Sequence, residues 1–219
     1  MKSRVVLLAF AAIAGVLLTG CLSRPPTINA RHFVLAPIST NESVPAAAKH
    51  LSVGIGFVKM PSYLLRKTIA VRNGANEIGY IEDAQWAERL DQSFQRTLAA
   101  NLSHLLPSEN IYLTDWPRDQ EVIRVFIDIQ QFDVDSSGQG ILNAHWRITP
   151  SDSDQQQKAG HARLSRAGAS RHGHPEMVAT TLSDLTAEFS RELAQSIRES
   201  GKPAREAVGF MKSNSIICR

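Results

Sequence analysis

The most distinctive candidate for chemistry is Cys21, which follows Leu18-Thr19-Gly20 at the end of an apolar run. Its thiol is a strong nucleophile that can carry a thioether-linked diacylglycerol, and the small residues before it leave room for a peptidase. Lys2 and Arg4 give a basic start, and the uncharged run over 5–20 has about 16 residues, fewer than the roughly 20 that span a bilayer. This order of regions predicts a secretory signal over 1–20.

Residues 18–21 resemble the bacterial lipobox, in which the cysteine is acylated, the signal is removed and the cysteine becomes the first mature residue. Each buried CH2 of an acyl chain contributes about 0.8 kcal/mol, so several chains anchor a protein without a spanning helix. A plain cleaved signal and an uncleaved anchor helix remain the alternatives. Leu22 stands where an aspartate would suggest inner-membrane retention, so we expect an outer-membrane lipoprotein that faces the periplasm and carries palmitate-type chains.

Other residues could form a metal or acid site, but their spacing is unfavourable. His161, His172 and His174 are the nearest approach to a metal cluster, and no cysteine or carboxylate follows at ligand spacing. Asp133 and Asp135 could mimic an acid pair, yet they end a predicted strand and are expected to be solvated. Hydrolase and metalloprotease motifs are absent from the sequence. We therefore predict no enzyme, no metal and no cofactor, with a periplasmic metal-dependent hydrolase as the rival hypothesis.

Composition is that of a folded protein without a nucleic-acid signature. Of the 219 residues, 43% are hydrophobic and 21% charged, and the formal charge is +3, to which the signal contributes two positives. Cys218 is the other cysteine, so no intrachain disulfide is expected if Cys21 is acylated. The role of Cys218 and that of the C-terminal tail stay open. We expect a lipidated tether over 21–31, stiffened by Pro25-Pro26, a single domain over 32–200, and a disordered tail over 201–219.

Alternating apolar residues predict most of the strands that must position any site. A first strand is expected at 32–35, and Leu51 to Phe57 alternates with Gly54 and Gly56 on the opposite face, where a close neighbour could fit. Asn73-Gly74 between two β-prone segments predicts a hairpin. A short strand at 111–113 and a three-stranded meander over 122–132, 141–148 and 159–165 complete the set.

Two long amphipathic helices are predicted between and after these strands. The first covers 84–106, with Asp83 as its cap and Trp86 in its apolar stripe. The second covers 176–199, with Pro175 in its first turn and Gly201 as its stop. Each helix offers one apolar stripe and each strand one apolar face. The predicted fold class is therefore α+β, with a mixed, largely antiparallel sheet and both helices packed on one face.

Several stretches together resemble one known family, the PqiC-type ABC-transport auxiliary lipoproteins. The match runs from Cys21 to about Glu199, and its pieces occur in order. They are the lipobox cysteine, the first strand, Val53-Gly-Ile-Gly56, Pro61-Ser-Tyr-Leu-Leu-Arg66, Trp86-Ala-Glu-Arg-Leu-Asp91, Leu98-Ala-Ala-Asn-Leu102, Trp116-Pro-Arg118, the strand from Val125 to Asp133, and Ala144-x-Trp146.

The resemblance implies a non-catalytic adaptor of an MCE-type envelope lipid transport system that maintains membrane integrity. Its implied partner is an MCE-domain tunnel protein, PqiB-like, in addition to the membrane. A lipid-binding carrier is the further alternative, and homo-oligomerisation, cargo and direction stay open. Candidate partner contacts are Tyr63, Arg66, Trp86 and Trp116, because aromatic residues and arginine often anchor interfaces. Core packing is the alternative role for each, above all for Trp86 on its predicted helical stripe.

Overall fold

The computed structural model describes residues 29–39, 51–106, 108, 110–117, 120–149, 158–168 and 174–200. The predicted signal, Cys21, most of the tether, His172, Cys218 and the tail lie outside these residues. The domain boundaries therefore stay predictions.

The described chain contains eight strands and two long helices, with four strands before each helix. The strands are β1 (Arg31–Phe33), β2 (Ser52–Lys59), β3 (Thr68–Arg72), β4 (Ile78–Trp86), β5 (Asn110–Leu113), β6 (Ile123–Asp135), β7 (Gln139–Thr149) and β8 (Lys158–Ala167). The helices are α1 (Leu90–Leu105) and α2 (Pro175–Ser200), and a single 3-10 turn covers Ser62–Leu65.

The strands form one mixed sheet built around β6. On one side β6 pairs with the antiparallel meander β7–β8. On its other side it pairs in parallel with β2 near its start and with β3 near its end. β5 flanks β2, while β4 and then β1 flank β3. Most paired residues belong to the antiparallel ladders, so the predicted sheet type is confirmed.

Both helices cover the same face of the sheet, as predicted. α1 lies over β2 and β5, α2 lies over β6, β7 and β8, and the two helices contact each other. The predicted stripe of α2 is confirmed, because its members are at most 3% exposed: Val178, Leu182, Leu185, Phe189, Leu193 and Ile197. The Phe94 ring of α1 contacts Phe132 of β6 edge-on at 5.3 Å and Phe189 of α2 at 6.0 Å. Three elements thus meet at one aromatic cluster.

The predicted start of the first helix is wrong. Residues 84–86 belong to β4, where Ala84 and Trp86 alternate into the core and Trp86 pairs with Phe33 of β1. The helix begins only at Leu90, and Arg89, not Asp83, occupies its N-cap position. Trp86 lies four residues before Leu90, a spacing that fits a helical stripe and an alternating strand equally well. Pairing with β1 resolves that ambiguity in favour of the strand.

A β-bulge overturns the predicted orientation of Phe57. Gly56 and Phe57 together lie opposite Phe126, because the register with β6 shifts between Ile55 and Val58. Val58 therefore takes the inward position that strict alternation assigns to Phe57. The Phe57 side chain is 82% exposed.

A polar seam between the two helices holds the N-terminal segment after β1. Small polar side chains are buried there, namely Ser93, Thr97 and Asn101 of α1 and Ser183, Thr186 and Ser190 of α2. Ser93 Oγ accepts a hydrogen bond from the Leu35 backbone N–H at 3.3 Å, and Asn101 Oδ1 accepts one from Ile38 N–H at 2.8 Å. Leu35 itself is 3% exposed. The Ala36 backbone N–H donates to Ser183 Oγ of α2 at 3.0 Å, so the segment that leads back toward the predicted anchor is fixed to both helices.

Candidate functional site: an interaction surface on the sheet

The turn that carries two predicted contact residues lies beside a gap in the edge of β6. β2 leaves β6 at the pair Lys59–Asp128, and β3 joins it at Val71–Val134. The chain between β2 and β3 forms the 3-10 turn Ser62–Leu65, which buries Leu64. Pro61 precedes the turn with φ −56°, a value its ring favours.

Tyr63 is held by a buried carboxylate. Its hydroxyl donates a hydrogen bond to Asp133 Oδ2 at 2.7 Å, and Arg72 Nη2 donates to the same oxygen at 2.7 Å. Gln131 Nε2 donates to Asp133 Oδ1 at 2.8 Å. Asp133 is 1% exposed, so the expectation of a solvated aspartate is wrong. Asp135, at the end of β6, instead accepts hydrogen bonds from the backbone N–H of Ser137 and of Gln139, and stabilises the turn into β7.

This environment keeps the Tyr63 phenol protonated. Burial is the largest cause that raises the pKa of Tyr63 well above its ordinary value, and the hydrogen bond to the Asp133 carboxylate raises it further. The Arg72 guanidinium acts in the opposite direction, with a smaller effect. The arrangement therefore positions a neutral hydroxyl and does not activate a nucleophile.

Arg66 lies exposed just after the turn. Its guanidinium carbon is 4.9 Å from the centre of the Tyr80 ring, and the Tyr80 hydroxyl donates to the Tyr63 backbone oxygen at 3.3 Å. Planar stacking on an aromatic ring restricts the side chain while its donors stay in solvent. The predicted contacts Tyr63 and Arg66 are thus brought together on one turn, with Tyr80 as a support that the sequence analysis missed.

Of the two predicted tryptophan contacts, Trp116 lies at the surface and Trp86 lies in the core. Trp116 is half-buried and lies over Gly54, where an added Cβ would come within 2.6 Å of the indole. The prediction that the glycine face of β2 admits a close neighbour is confirmed. Trp86 is 4% exposed, so its side chain belongs to the core and we withdraw it from the candidate contacts.

The described histidines do not assemble into a metal centre. His161 of β8 contacts His145 of β7 edge-on, with ring centres 4.6 Å apart, and His174 lies beside Glu176 at the start of α2. No group of three or more metal-ligating side chains is found among the described residues. His172 is outside them, so the predicted cluster of three is not described as a whole.

A family model now identifies the chain. The model for the ABC-type transport auxiliary lipoprotein component matches residues 33–194, which include the 3-10 turn, all of α1, the whole meander and α2 as far as residue 194. The chain belongs to this family. The family resemblance proposed from the sequence motifs is thereby confirmed.

Solved structures similar to this auxiliary lipoprotein share its fold at low sequence identity. A crystal structure of a Xanthomonas campestris protein superposes with a TM-score of 0.67 at 14% identity, covering 78% of this chain and 97% of that chain. A second crystal structure, of an uncharacterized protein, gives 0.61 at 20% identity, with 77% and 99% covered. No curated protein matches the chain significantly.

Family membership makes the chain a lipoprotein-type component of ABC-type transport and indicates association with a membrane. In the part of the chain that the structure describes, neither helix is long and apolar enough to cross a bilayer.

Proposed function

We propose that this auxiliary lipoprotein is acylated at Cys21, anchored in the outer membrane facing the periplasm, and serves as a non-catalytic adaptor of an MCE-type lipid transport system. The observation that carries the proposal is the family match over 33–194, preceded by the lipobox cysteine of the sequence. The partner is an MCE-domain tunnel protein, and maintenance of membrane integrity follows from that partnership.

The geometry of the turn supports an adaptor more than an enzyme. Tyr63 is neutral and hydrogen-bonded, and the Asp133 carboxylate accepts hydrogen bonds from Arg72 and Gln131. Catalysis by a carboxylate or phenol needs a group with access to substrate and a pKa near the working pH. Asp133 is buried away from any substrate, and the pKa of Tyr63 is raised far above that range, mainly by burial.

Two surface positions are proposed as partner contacts. The first is the turn, with Tyr63 and Arg66, and the second is Trp116 over Gly54. All three side chains are restrained by contacts within the fold, so little conformational entropy is lost when a partner binds. Arginine and large aromatic residues are also the types most often found at binding hot spots.

Affinity purification from detergent-solubilised envelopes tests the proposal. The full chain carrying a C-terminal tag is expected to recover an MCE-domain protein, and Arg66→Ala is expected to weaken recovery. His104→Ala, on the last turn of α1, is the matched control because it changes an exposed polar residue elsewhere. Recovery of the tagged chain with no MCE-domain protein contradicts the proposed partnership.

A further inference from the structure

The face of the sheet opposite the helices carries a second, unassigned surface. Along β6 and β7 the residues that face the helices are buried, including Ile127 and Ile148. The residues between them therefore face the other side, and they include Phe126, Asp128 and Arg147. Among the described residues, neither long helix covers this part of the sheet.

Two rows of paired residues cross this face. In one row Lys59 of β2 pairs with Asp128 of β6, and Asp128 pairs with His145 of β7. His145 in turn pairs with His161 of β8. In the next row Phe126 of β6 pairs with Arg147 of β7. Side chains at paired positions lie on the same face of a sheet, so both rows form one surface.

A groove of about 730 Å³ lies along these rows. Phe57 lines it and is 82% exposed, a position that it owes to the β-bulge in β2. The Arg147 guanidinium carbon stacks 4.4 Å from the centre of the Phe126 ring within the same groove. This volume lies in the range of small-molecule and peptide-binding clefts.

Positive charge exceeds negative charge in this groove. Asp128 is the carboxylate among the described lining residues, and it already accepts hydrogen bonds from Lys59 at 3.2 Å and Gln130 at 2.8 Å. Within the described part of the chain, no carboxylate pairs with Arg147. The imidazole rings of His145 and His161 also line the groove.

We propose that this groove is a docking site for an acidic, apolar-containing segment of a protein partner. An incoming carboxylate would pair with Arg147, and an apolar side chain would cover Phe57 and Phe126. The groove places the exposed Phe57 ring near the cationic Arg147 side chain, an arrangement that suits a chain segment with both apolar and acidic side chains. The inference rests on the proposed adaptor function, since it specifies a second surface by which the adaptor engages protein.

Site-specific photo-crosslinking in intact envelopes tests this inference. The full chain with Phe57→p-benzoylphenylalanine is irradiated, and the cross-linked peptide is sequenced by mass spectrometry. We expect an adduct with a segment of another envelope protein that contains Asp or Glu next to apolar residues. Arg147→Glu in the same background should lower the adduct yield about tenfold, because like charges placed together oppose docking.

Arg163→Glu is the matched control. Arg163 is an exposed arginine of β8 that lies outside the groove lining, so its reversal should leave the adduct unchanged. Arg147→Gln is a milder second variant, and circular dichroism of each variant confirms that it is folded. The inference is overturned if there is no adduct, or if the adduct is confined to lipid, to a second copy of this chain, or to a neutral or basic peptide. It is also overturned if Arg147→Glu and Arg163→Glu lower the adduct yield equally.

The two proposals can fail separately. If the unchanged chain recovers an MCE-domain protein while Phe57 cross-links to no acidic segment, the groove is wrong and the adaptor function stands. If an acidic segment cross-links at Phe57 but belongs to a protein outside any transport system, the groove stands and the proposed partnership is wrong.

Discussion

Asp128 and Asp133 lie on the same strand and face away from the helices, yet their environments differ completely. Asp133 is 1% exposed and bound by three side chains, whereas the Asp128 side chain is 38% exposed and paired with Lys59. An exposed ion pair contributes about 0–1 kcal/mol. Removing one charge from a buried pair costs about 3–5 kcal/mol, because the other charge is left uncompensated.

We therefore expect Asp133→Asn to lower the free energy of unfolding by about 3 kcal/mol. This value lies at the low end of the range because Arg72 is partly exposed. Asp128→Asn should change it by less than about 1 kcal/mol. Urea unfolding of both variants, monitored by circular dichroism, measures the two effects. Equal effects would show that the Tyr63–Arg72–Asp133 cluster does not stabilise the fold as described.

Tyr63 predicts a loss of stability in alkaline solution. Its pKa is raised from the ordinary value of 10.0 in the folded protein, mainly by burial. Below pH 10 the phenol is neutral in both states, so its contribution is fully present. Above pH 10 an unfolded tyrosine ionises while the native Tyr63 stays protonated, so the free energy of unfolding falls as the pH rises.

Urea midpoints measured from pH 8 to pH 11.5 test this expectation. The decline above pH 10 should be shallower in Tyr63→Phe than in the unchanged protein. Tyr112→Phe, which removes a hydroxyl from the short edge strand β5, serves as control and should leave the decline as it is. A decline that persists unchanged in Tyr63→Phe would assign it to other groups.

At the scale of elements, the contact between β2 and the 114–117 loop depends on a missing side chain. An alanine Cβ at position 54 would lie 2.6 Å from the Trp116 ring, closer than real Cβ contacts. We expect Gly54→Ala to push the indole into solvent and to lower the free energy of unfolding by about 1–3 kcal/mol. A red shift of tryptophan emission reports the displacement.

A double-mutant cycle isolates that contact. In a Trp116→Ala background the alanine at position 54 meets no ring, so Gly54→Ala should cost much less there than in the unchanged protein. Equal costs in both backgrounds would place the effect of Gly54→Ala in the strand itself.

The segment after β1 is an element without regular secondary structure, and it is stabilised by one buried side chain. Leu35 is 3% exposed, and its backbone oxygen accepts a hydrogen bond from Thr97 Oγ1 at 3.2 Å. Leu35→Ala should lower the free energy of unfolding by about 2–5 kcal/mol, the usual cost of a core truncation. Its neighbour Val34 is 50% exposed, so Val34→Ala should cost less than about 1 kcal/mol. Thermal unfolding compares the pair, and similar costs would mean that the segment is not packed as described.

For the whole molecule, attachment to the membrane is predicted to depend on a single thiol. Cys21→Ser cannot form the thioether, so we expect the variant to leave the membrane fraction and to lose the mass of the acyl chains. The body should unfold as before, because the buried core among the described residues begins only at Leu35. Fractionation and intact-mass analysis check the outcome, with Cys218→Ser as the control that keeps its anchor. A Cys21→Ser variant that stays membrane-bound and acylated would overturn the proposed anchoring.

The alternating and helical patterns of the sequence predicted most of the fold. The meander, the Asn73-Gly74 hairpin and α2 were expected close to their observed places, because their apolar residues recur at one unambiguous period. The prediction failed between Trp86 and Leu90, where the spacing fits both the helical and the strand period. It also failed at Phe57, where a bulge reverses which face of the sheet the side chain points to. The polar seam between the helices escaped prediction, since small polar residues on a helix usually face water.

The family and the α+β class were thus determined by the sequence itself, because ordered local motifs and hydrophobic periods need no knowledge of distant contacts. The Cys21 anchor is a prediction of the same kind. The tertiary structure decided the partners of Asp133, the burial of Trp86 and the groove beside Phe57. Each of these depends on strand register, which brings together residues far apart in the chain and can reverse a side chain's direction through one extra residue.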